Sequence, residues 1–392
     1  MGIFSSKKKE KIIAIFDIGS GSIGGAIVRI PTQAQSIPTI LASVRTDFVF
    51  RKDLDFDVFF NDMIRALDTT ARLLHKKGAG APEEIFCVLA SPWYISQTRV
   101  VRMTKETPFL FSRRIADDLL KRELTALVDV YNKKYEGTGS TPLMIEHHVI
   151  GVKLNGYVVD DPIGKKTKSL EMDVVISLSP KQCVEKIRET IDTIYPGIKG
   201  SFASFITSSY LAVRDHFVSP ESYLLVDVGS EVTDVAVVSG GVLRSSLSFP
   251  FGKNTIFKYI CTKQNIELRD AQELFSLYCT GTLAPAKKQA HEALFESIKH
   301  SWSGAFYQSV TDLKYSLGLP ATVFLTADAD SILWFAQVLE SESYIQSLLL
   351  SHRSNVISLS GSQFINVCNV RDGSCDPFLM IEAIAFTKRQ NS

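Results

Sequence analysis

The feature that most limits how this chain can fold is a motif written twice, once near the amino terminus and once past the middle. Residues 12–30 read IIAIFDIGSGSIGGAIVRI: an apolar, β-branched run of strand length, then Asp17, Gly19, Ser20, Gly21 and Ser22, then a second apolar run. Residues 223–241 read YLLVDVGSEVTDVAVVSGG, again a strand, Asp227, Gly229, Ser230 and another strand. Each Asp-x-Gly-Ser turn is followed by a second strand, a third, and a helix-like segment. A β-β-β-α unit repeated so far apart predicts two similar subdomains facing each other, with a phosphate held between two hairpins. The chemistry fits: glycines permit a tight turn and leave backbone N–H groups open to an oxyanion. Ser20 and Ser22 add hydroxyls, and Asp17 ends its strand where a carboxylate could hold a metal-bound water. Two ordinary hairpins in a mixed sheet would read alike, but the shared aspartate at both strand ends favours the phosphate reading.

With 392 residues the chain can form two domains or one large bilobed one. At 45% hydrophobic and 22% charged residues it belongs with folded globular chains. A formal net charge of +1 argues against nucleic-acid binding by bulk charge. No apolar run is long enough to span a bilayer, and no signal-peptide core follows the amino terminus. The six cysteines (Cys87, Cys183, Cys261, Cys279, Cys368, Cys375) lack C-x-x-C spacing, so reduced, mostly buried thiols are expected. His147 and His148 are neighbours on a predicted strand and point to opposite faces, which keeps them from ligating one metal.

The opening MGIFSSKKKEK is basic and without periodicity. Gly2 and Ser6 satisfy a myristoylation pattern, and Ile3, Phe4 and the lysines at 7–9 suit a weak touch on anionic lipid, but a solvated tail is the plainer reading. Residues 39–50 read as a third strand. Phe60, Ile64, Leu67, Ala71 and Leu74 recur at helical spacing up to a Lys76-Lys77-Gly78 stop, and residues 84–90 form another buried strand. From Pro92 the pattern changes: a weak strand at 95–103, a helix capped by Ser112, a polar loop over 137–140, a strand at 143–154, an Asp161-Pro162-Ile163-Gly164 turn and a strand from Leu170. Helices are predicted from Pro180, over 201–216 after a short strand, at 255–262 and 270–278, and from Leu294 to a stop at Gly318 and Pro320. A strand at 322–326, a helix over 331–339 and the apolar helix DPFLMIEAIAF close the chain.

FDIGSGS and LVDVGSEVTD resemble the two phosphate motifs of the actin/Hsp70/sugar-kinase superfamily. Over nearly the whole chain the pattern is most similar to the FtsA family of bacterial division proteins, and less closely to the PilM family of pilus proteins. The resemblance implies an α/β, actin-like (ribonuclease H-like) fold of two lobes with an inserted α+β domain of the SHS2, or 1C, type. Its parts would be a basic tail over 1–11, a first lobe over 12–91 and 172–221, the insertion over 92–171, and a second lobe over 222–392, with the closing helix packed on that second lobe. ATP and Mg2+ would be held by Asp17, Gly19, Ser20, Gly21 and Ser22 on one side and Asp227, Gly229, Ser230 and Thr233 on the other, with Asp17 and Asp227 at the metal. The resemblance also implies self-assembly into a filament or oligomer, and protein partners such as an FtsZ-like tubulin homologue or pilus proteins. It implies no nucleic acid, and a cytoplasmic place that reaches the inner membrane face only peripherally. FtsA proteins end in a linker and an amphipathic helix; none follows Lys388 and Arg389, so recruitment by a partner is expected.

Three nucleotide segments depart from the family. In the second phosphate motif, Glu231 puts a carboxylate where backbone would meet a phosphate, and Val232 removes a hydroxyl. The glycine loop that receives adenosine is replaced by Thr326-Ala327-Asp328-Ala329-Asp330, whose side chains would intrude. The A-E-x-x-K helix is replaced by Ala271-Gln272-Glu273-Leu274-Phe275, without both polar contacts. The expectation is a scaffold with weak or absent ATP and Mg2+ binding and no catalytic residues, assembling through its insertion, with Glu231, Asp328 and Asp330 repelling a polyanion. A working, polymerising ATPase and a PilM-like component that binds a short peptide are the alternatives.

Overall fold

The computed structural model describes residues 10–31, 37–134, 141–217, 221–349 and 353–390. The tail features at Gly2, Ile3, Phe4, Ser6 and 7–9, and the polar loop at 137–140, lie outside the described residues. Glu10 and Lys11, expected in the tail, instead open the first strand, where the Lys11 ammonium bonds the Glu84 carboxylate.

Strands β1 (Glu10–Ile18) and β2 (Ser22–Pro31) form the first hairpin, with Asp17 opposite Gly24. β3 (Thr39–Asp47) extends it. Helix α1 (Phe56–Lys76) starts where the Asp55 carboxylate accepts from the Val58 N–H, and it buries Phe59, Met63, Leu67, Ala71 and Leu74. Gly78, at φ +62°, lets the chain leave it. β4 (Glu84–Leu89) then lies parallel to β1.

Next comes an appendage: β5 (Ile95–Leu110), α2 (Arg113–Lys134), β6 (Pro142–Leu154), β7 (Tyr157–Val158) and β8 (Lys166–Pro180). Its sheet has the order β5-β8-β6-β7, and its core is built on Val101, Phe111, Leu119, Leu127, Leu170 and Met172. β8 is one unbroken strand across position 171, so its last residues stay in the appendage's sheet while Val175 already packs in the first lobe's core. Helix α3 (Lys181–Asp192), β9 (Gly200–Ser204) and α4 (Phe205–His216) return to the first lobe.

The second lobe repeats the first. β10 (Tyr223–Val228), β11 (Thr233–Ser239) and β12 (Val242–Phe249) form the antiparallel meander, with Asp227 opposite Asp234. Helices α5 (Lys253–Gln264), α6 (Leu268–Cys279) and α7 (Pro285–Leu317) follow, and Gly318 at φ +67° ends the last. β13 (Thr322–Ala327) runs parallel to β10, then come α8 (Ile332–Ser341), α9 (Ser343–Leu348) and β14 (Asn355–Ser358). The second sheet has the order β12-β11-β10-β13-β14. The first, completed by β15 (Asn369–Val370), has the order β15-β3-β2-β1-β4-β9. The β3-β2-β1-β4-β9 run thus matches the second sheet strand for strand, which is the repeat read from the sequence.

One expectation is corrected. The closing helix α10 (Pro377–Gln390) packs on the first lobe, against α4, β1 and β2. Phe386 meets Phe86 at 5.1 Å and Phe378 meets Phe205 at 5.5 Å. α10 is buried on nearly every face, and in the first lobe's core it removes that apolar surface from water.

Candidate functional site

The two hairpins face each other at the foot of an interlobe cleft of about 770 Å3. That is enough for a small ligand. Its walls include Ser20, Gly21, Ser22 and Ser230, with Glu231, Gln272 and Asp328 beside them, while Asp17, Gly19, Asp227 and Gly229 line the small space between the two turns. Both turns close in the same way: Gly19 N–H donates to Ser22 O at 3.1 Å, and Gly229 N–H donates to Val232 O at 3.0 Å. Trp93 Nε1–H fixes the first turn by donating to Gly19 O at 2.7 Å.

The hairpins touch each other. The Glu231 backbone N–H donates to Ser20 Oγ at 3.1 Å, so the donor expected to meet a phosphate oxygen meets a serine hydroxyl instead. Gly21 lies so close to the second turn that a β-carbon on it would overlap the Ser230 side chain. Between the turns remains a cavity of about 40 Å3, room for about one water and not for a phosphoryl group.

The expected charge repulsion is corrected by helix α5. Its Asn254 and Lys258 hold the Glu231 carboxylate at 2.7 and 3.0 Å, and Lys253 Nζ lies 2.6 Å from Asp328 and 3.2 Å from Asp330. The same helix donates its Lys253 and Asn254 N–H groups to Gly229 O and Ser230 O, at 3.0 and 2.7 Å, bracing the second turn. In α6, Gln272 and Glu273 reach the cleft, whereas Ala271 and Phe275 point into the second lobe's core. Thr233 also turns away: its hydroxyl donates to Phe251 O at 2.6 Å.

The two aspartates are already engaged. Arg45, on β3, places Nη2 2.8 Å from Asp17 Oδ2 and Nη1 2.8 Å from Ser22 Oγ, and its Nε donates to Asp376 at 2.9 Å. Burial pushes the Asp17 carboxyl up, against the pull of Arg45. Asp227 accepts from Thr326 Oγ1 at 2.6 Å; burial, then the neighbouring Asp234 charge, pushes it well above the usual carboxylate range. Asp234 accepts from Ser91 Oγ at 2.7 Å and from Ser248 Oγ, which ties the appendage's entry to the second lobe. A guanidinium on Asp17 and an Asp227 carboxyl buried against Thr326 do not suit Mg2+, which needs anionic oxygens in near-octahedral array. Nor does the space between the turns suit a phosphate. Among the described residues no cluster of three or more histidine, cysteine or acidic side chains is arranged to hold a metal.

Sequence reasoning missed Glu382, although an acid inside the apolar run FLMIEAIAF is the signal. It is fully buried against Asp17, and apart from that neighbouring carboxyl neither of its oxygens has a hydrogen-bond partner among the described residues. Burial, then the Asp17 charge, raises its carboxyl well above the usual range. A folded-state value above the unfolded one means the wild type loses stability as pH rises from the ordinary carboxylate range toward that value. Glu382→Met, apolar and of similar volume, is expected to stabilise the fold at neutral pH by about 1–3 kcal/mol. The gain should widen as pH rises, which urea denaturation across a pH series would measure.

No protein-family model matches this chain, and no curated protein matches it in sequence. Solved structures do. The chain is similar to a PilM-PilN type IV pilus biogenesis complex with TM-score 0.61 and 12% identity, over 98% of this chain and 99% of that one. It is also similar to the ethanolamine utilization protein EutJ from Carboxydothermus hydrogenoformans, with TM-score 0.47 and 11% identity over 97% and 90% of the two chains. A Bacteroides thetaiotaomicron protein with an actin-like ATPase fold and unknown function follows at TM-score 0.40 and 8% identity over 97% and 99%. With the paired sheets, the first of these likenesses establishes the fold: α/β, two-lobed and actin-like.

Proposed function

We propose that this actin-fold protein is a docking scaffold whose phosphate site, at the foot of the cleft, is kept shut. The observation that carries the reading is the Ser20–Glu231 hydrogen bond across the cleft, with Gly21 against Ser230. Ties from the appendage add to it: Arg244 Nη1 bonds Asp173 at 3.0 Å, and Thr98 Oγ1 donates to Leu243 O at 3.1 Å. An actin-fold enzyme works by opening and closing its lobes around a ligand; here side chains already fill the ligand's contacts. Residues 92–171 form an SHS2-type domain in this reading, and they supply the surface for self-association and partners. Tyr157 and Val158 stand at the appendage's edge, 78% and 73% exposed, and are the contacts this reading assigns to self-association.

The setting we favour is an FtsA-like role in bacterial cell division, at the cytoplasmic face of the membrane through a partner. No helix of the described residues is long and apolar enough to cross a membrane. A PilM-like role in pilus assembly is the second reading; it is supported by the likeness to the PilM-PilN complex over 98% of this chain. Sedimentation tests the scaffold reading. The wild type should self-associate in a nucleotide-independent way, and Tyr157→Glu with Val158→Glu should leave a folded monomer. Assembly that appears only with ATP would sink it. Capture of division proteins or of pilus proteins by the purified chain separates the two settings.

A further inference from the structure

The fold family implies a divalent cation beside the first hairpin's aspartate, and the residues present disagree with it in a specific way. Arg45 is fixed there from several sides. Its Nη2 lies 2.8 Å from Asp17 and 2.8 Å from Asp376, its Nη1 reaches Ser22 at 2.8 Å, and its plane lies 5.4 Å from the centre of the Phe378 ring. Gly24 makes the room: a β-carbon at that position would fall 2.7 Å from Nη2. Residues from β1, β2, β3 and the start of α10 thus cooperate to seat one guanidinium. A planar fork with this many fixed partners is not a side chain resting on a surface.

We propose that Arg45 is the cleft's built-in cation: it occupies the place a divalent metal would take on Asp17, so the first hairpin is neutralised without metal. Two like charges within a few ångströms repel strongly where water is excluded, and a metal would have to displace the guanidinium from Asp17 and Asp376 together. The arrangement also fastens α10 to the hairpin, because Asp376 precedes that helix and its Oδ1 accepts from the Phe378 N–H at 3.1 Å. The inference rests on the shut-cleft reading only for its location; a wild-type metal site would overturn it and leave scaffold assembly untouched.

The test uses Mn2+ alone, followed by electron paramagnetic resonance, with the full chain and no nucleotide. Wild type and Asp17→Asn should give the same titration, with no bound Mn2+ that depends on Asp17. Arg45→Ala leaves Asp17 and Asp376 facing each other without a counter-charge. It should gain one equivalent of bound Mn2+, and that gain should vanish in the double variant with Asp17→Asn. Arg45→Gln, which keeps hydrogen bonds to the acids, is the second variant and should show the same gain. If neither variant folds alone, Mn2+ should restore the folded state, and failure to restore it counts against the proposal. Wild-type Mn2+ binding lost in Asp17→Asn, or folded Arg45 variants that gain no Mn2+, would overturn it.

Discussion

Titration of the purified protein with Mg·ATP in a calorimeter is expected to give no saturable binding in the micromolar range, and hydrolysis should not exceed background. Two groups that would serve a phosphate chain and its metal are used internally, and little space remains between the turns. The Glu231 N–H is on Ser20, the Asp17 carboxylate is on Arg45, and the turns leave about 40 Å3 between them. Each lost hydrogen bond to a charged group costs roughly 1.5–3 kcal/mol. Two or three together would move a micromolar ligand to about millimolar. The cause is steric and internal more than repulsive, since Lys253 and Lys258 offset the acids expected to repel the ligand. Ser20→Gly, which removes one side of the latch, should lower thermal stability slightly, by about 0.5–1.5 kcal/mol, and leave assembly intact. Micromolar Mg·ATP binding lost in Asp17→Ala would show that the hairpins part readily and that the cleft works.

The largest loss of stability is expected at Glu146. On β6 it accepts from Ser204 N–H at 2.8 Å, from Ser177 Oγ at 3.0 Å and from Arg389 Nη1 at 3.3 Å, and it lies 3.2 Å from His148 Nε2. One carboxylate thus joins the appendage, the first lobe and helix α10. Burial alone would raise its carboxyl, but His148, Arg389 and Ser204 hold it at about 2. A folded-state value below the unfolded one gives stability that is present at neutral pH and lost as pH falls from the ordinary carboxylate value near 4.5 toward 2. Glu146→Ala is expected to cost about 3–5 kcal/mol, because it strands buried partners. Urea denaturation at pH 7 would show this, and Glu146→Gln should flatten the acid limb of the wild-type curve. Equal midpoints for wild type and Glu146→Ala would mean that the three parts are held together by apolar packing alone.

Sequence alone determined the repeated hairpins, because continuous apolar runs, Asp-x-Gly turns and β-branched content are local properties of residues 12–30 and 223–241. It determined the long helix up to Gly318 for the same reason: spacing and a stop residue are written within the segment. Those units, in that order, already imply two matching lobes. That the two hairpins touch was decided in three dimensions, since Ser20 and Glu231 meet only when the lobes are docked. The pairing of the cleft's acids depended on Lys253 and Lys258, which meet Asp328 and Glu231 only through the fold. Arg45 in β3 and Asp376 ahead of α10 carry no motif, and α10 reads as well on one lobe as on the other. Only the packing of α10 against α4 brings Asp376 and Glu382 to Asp17, and a contact between such distant parts of a chain depends on the shape that all the intervening residues adopt.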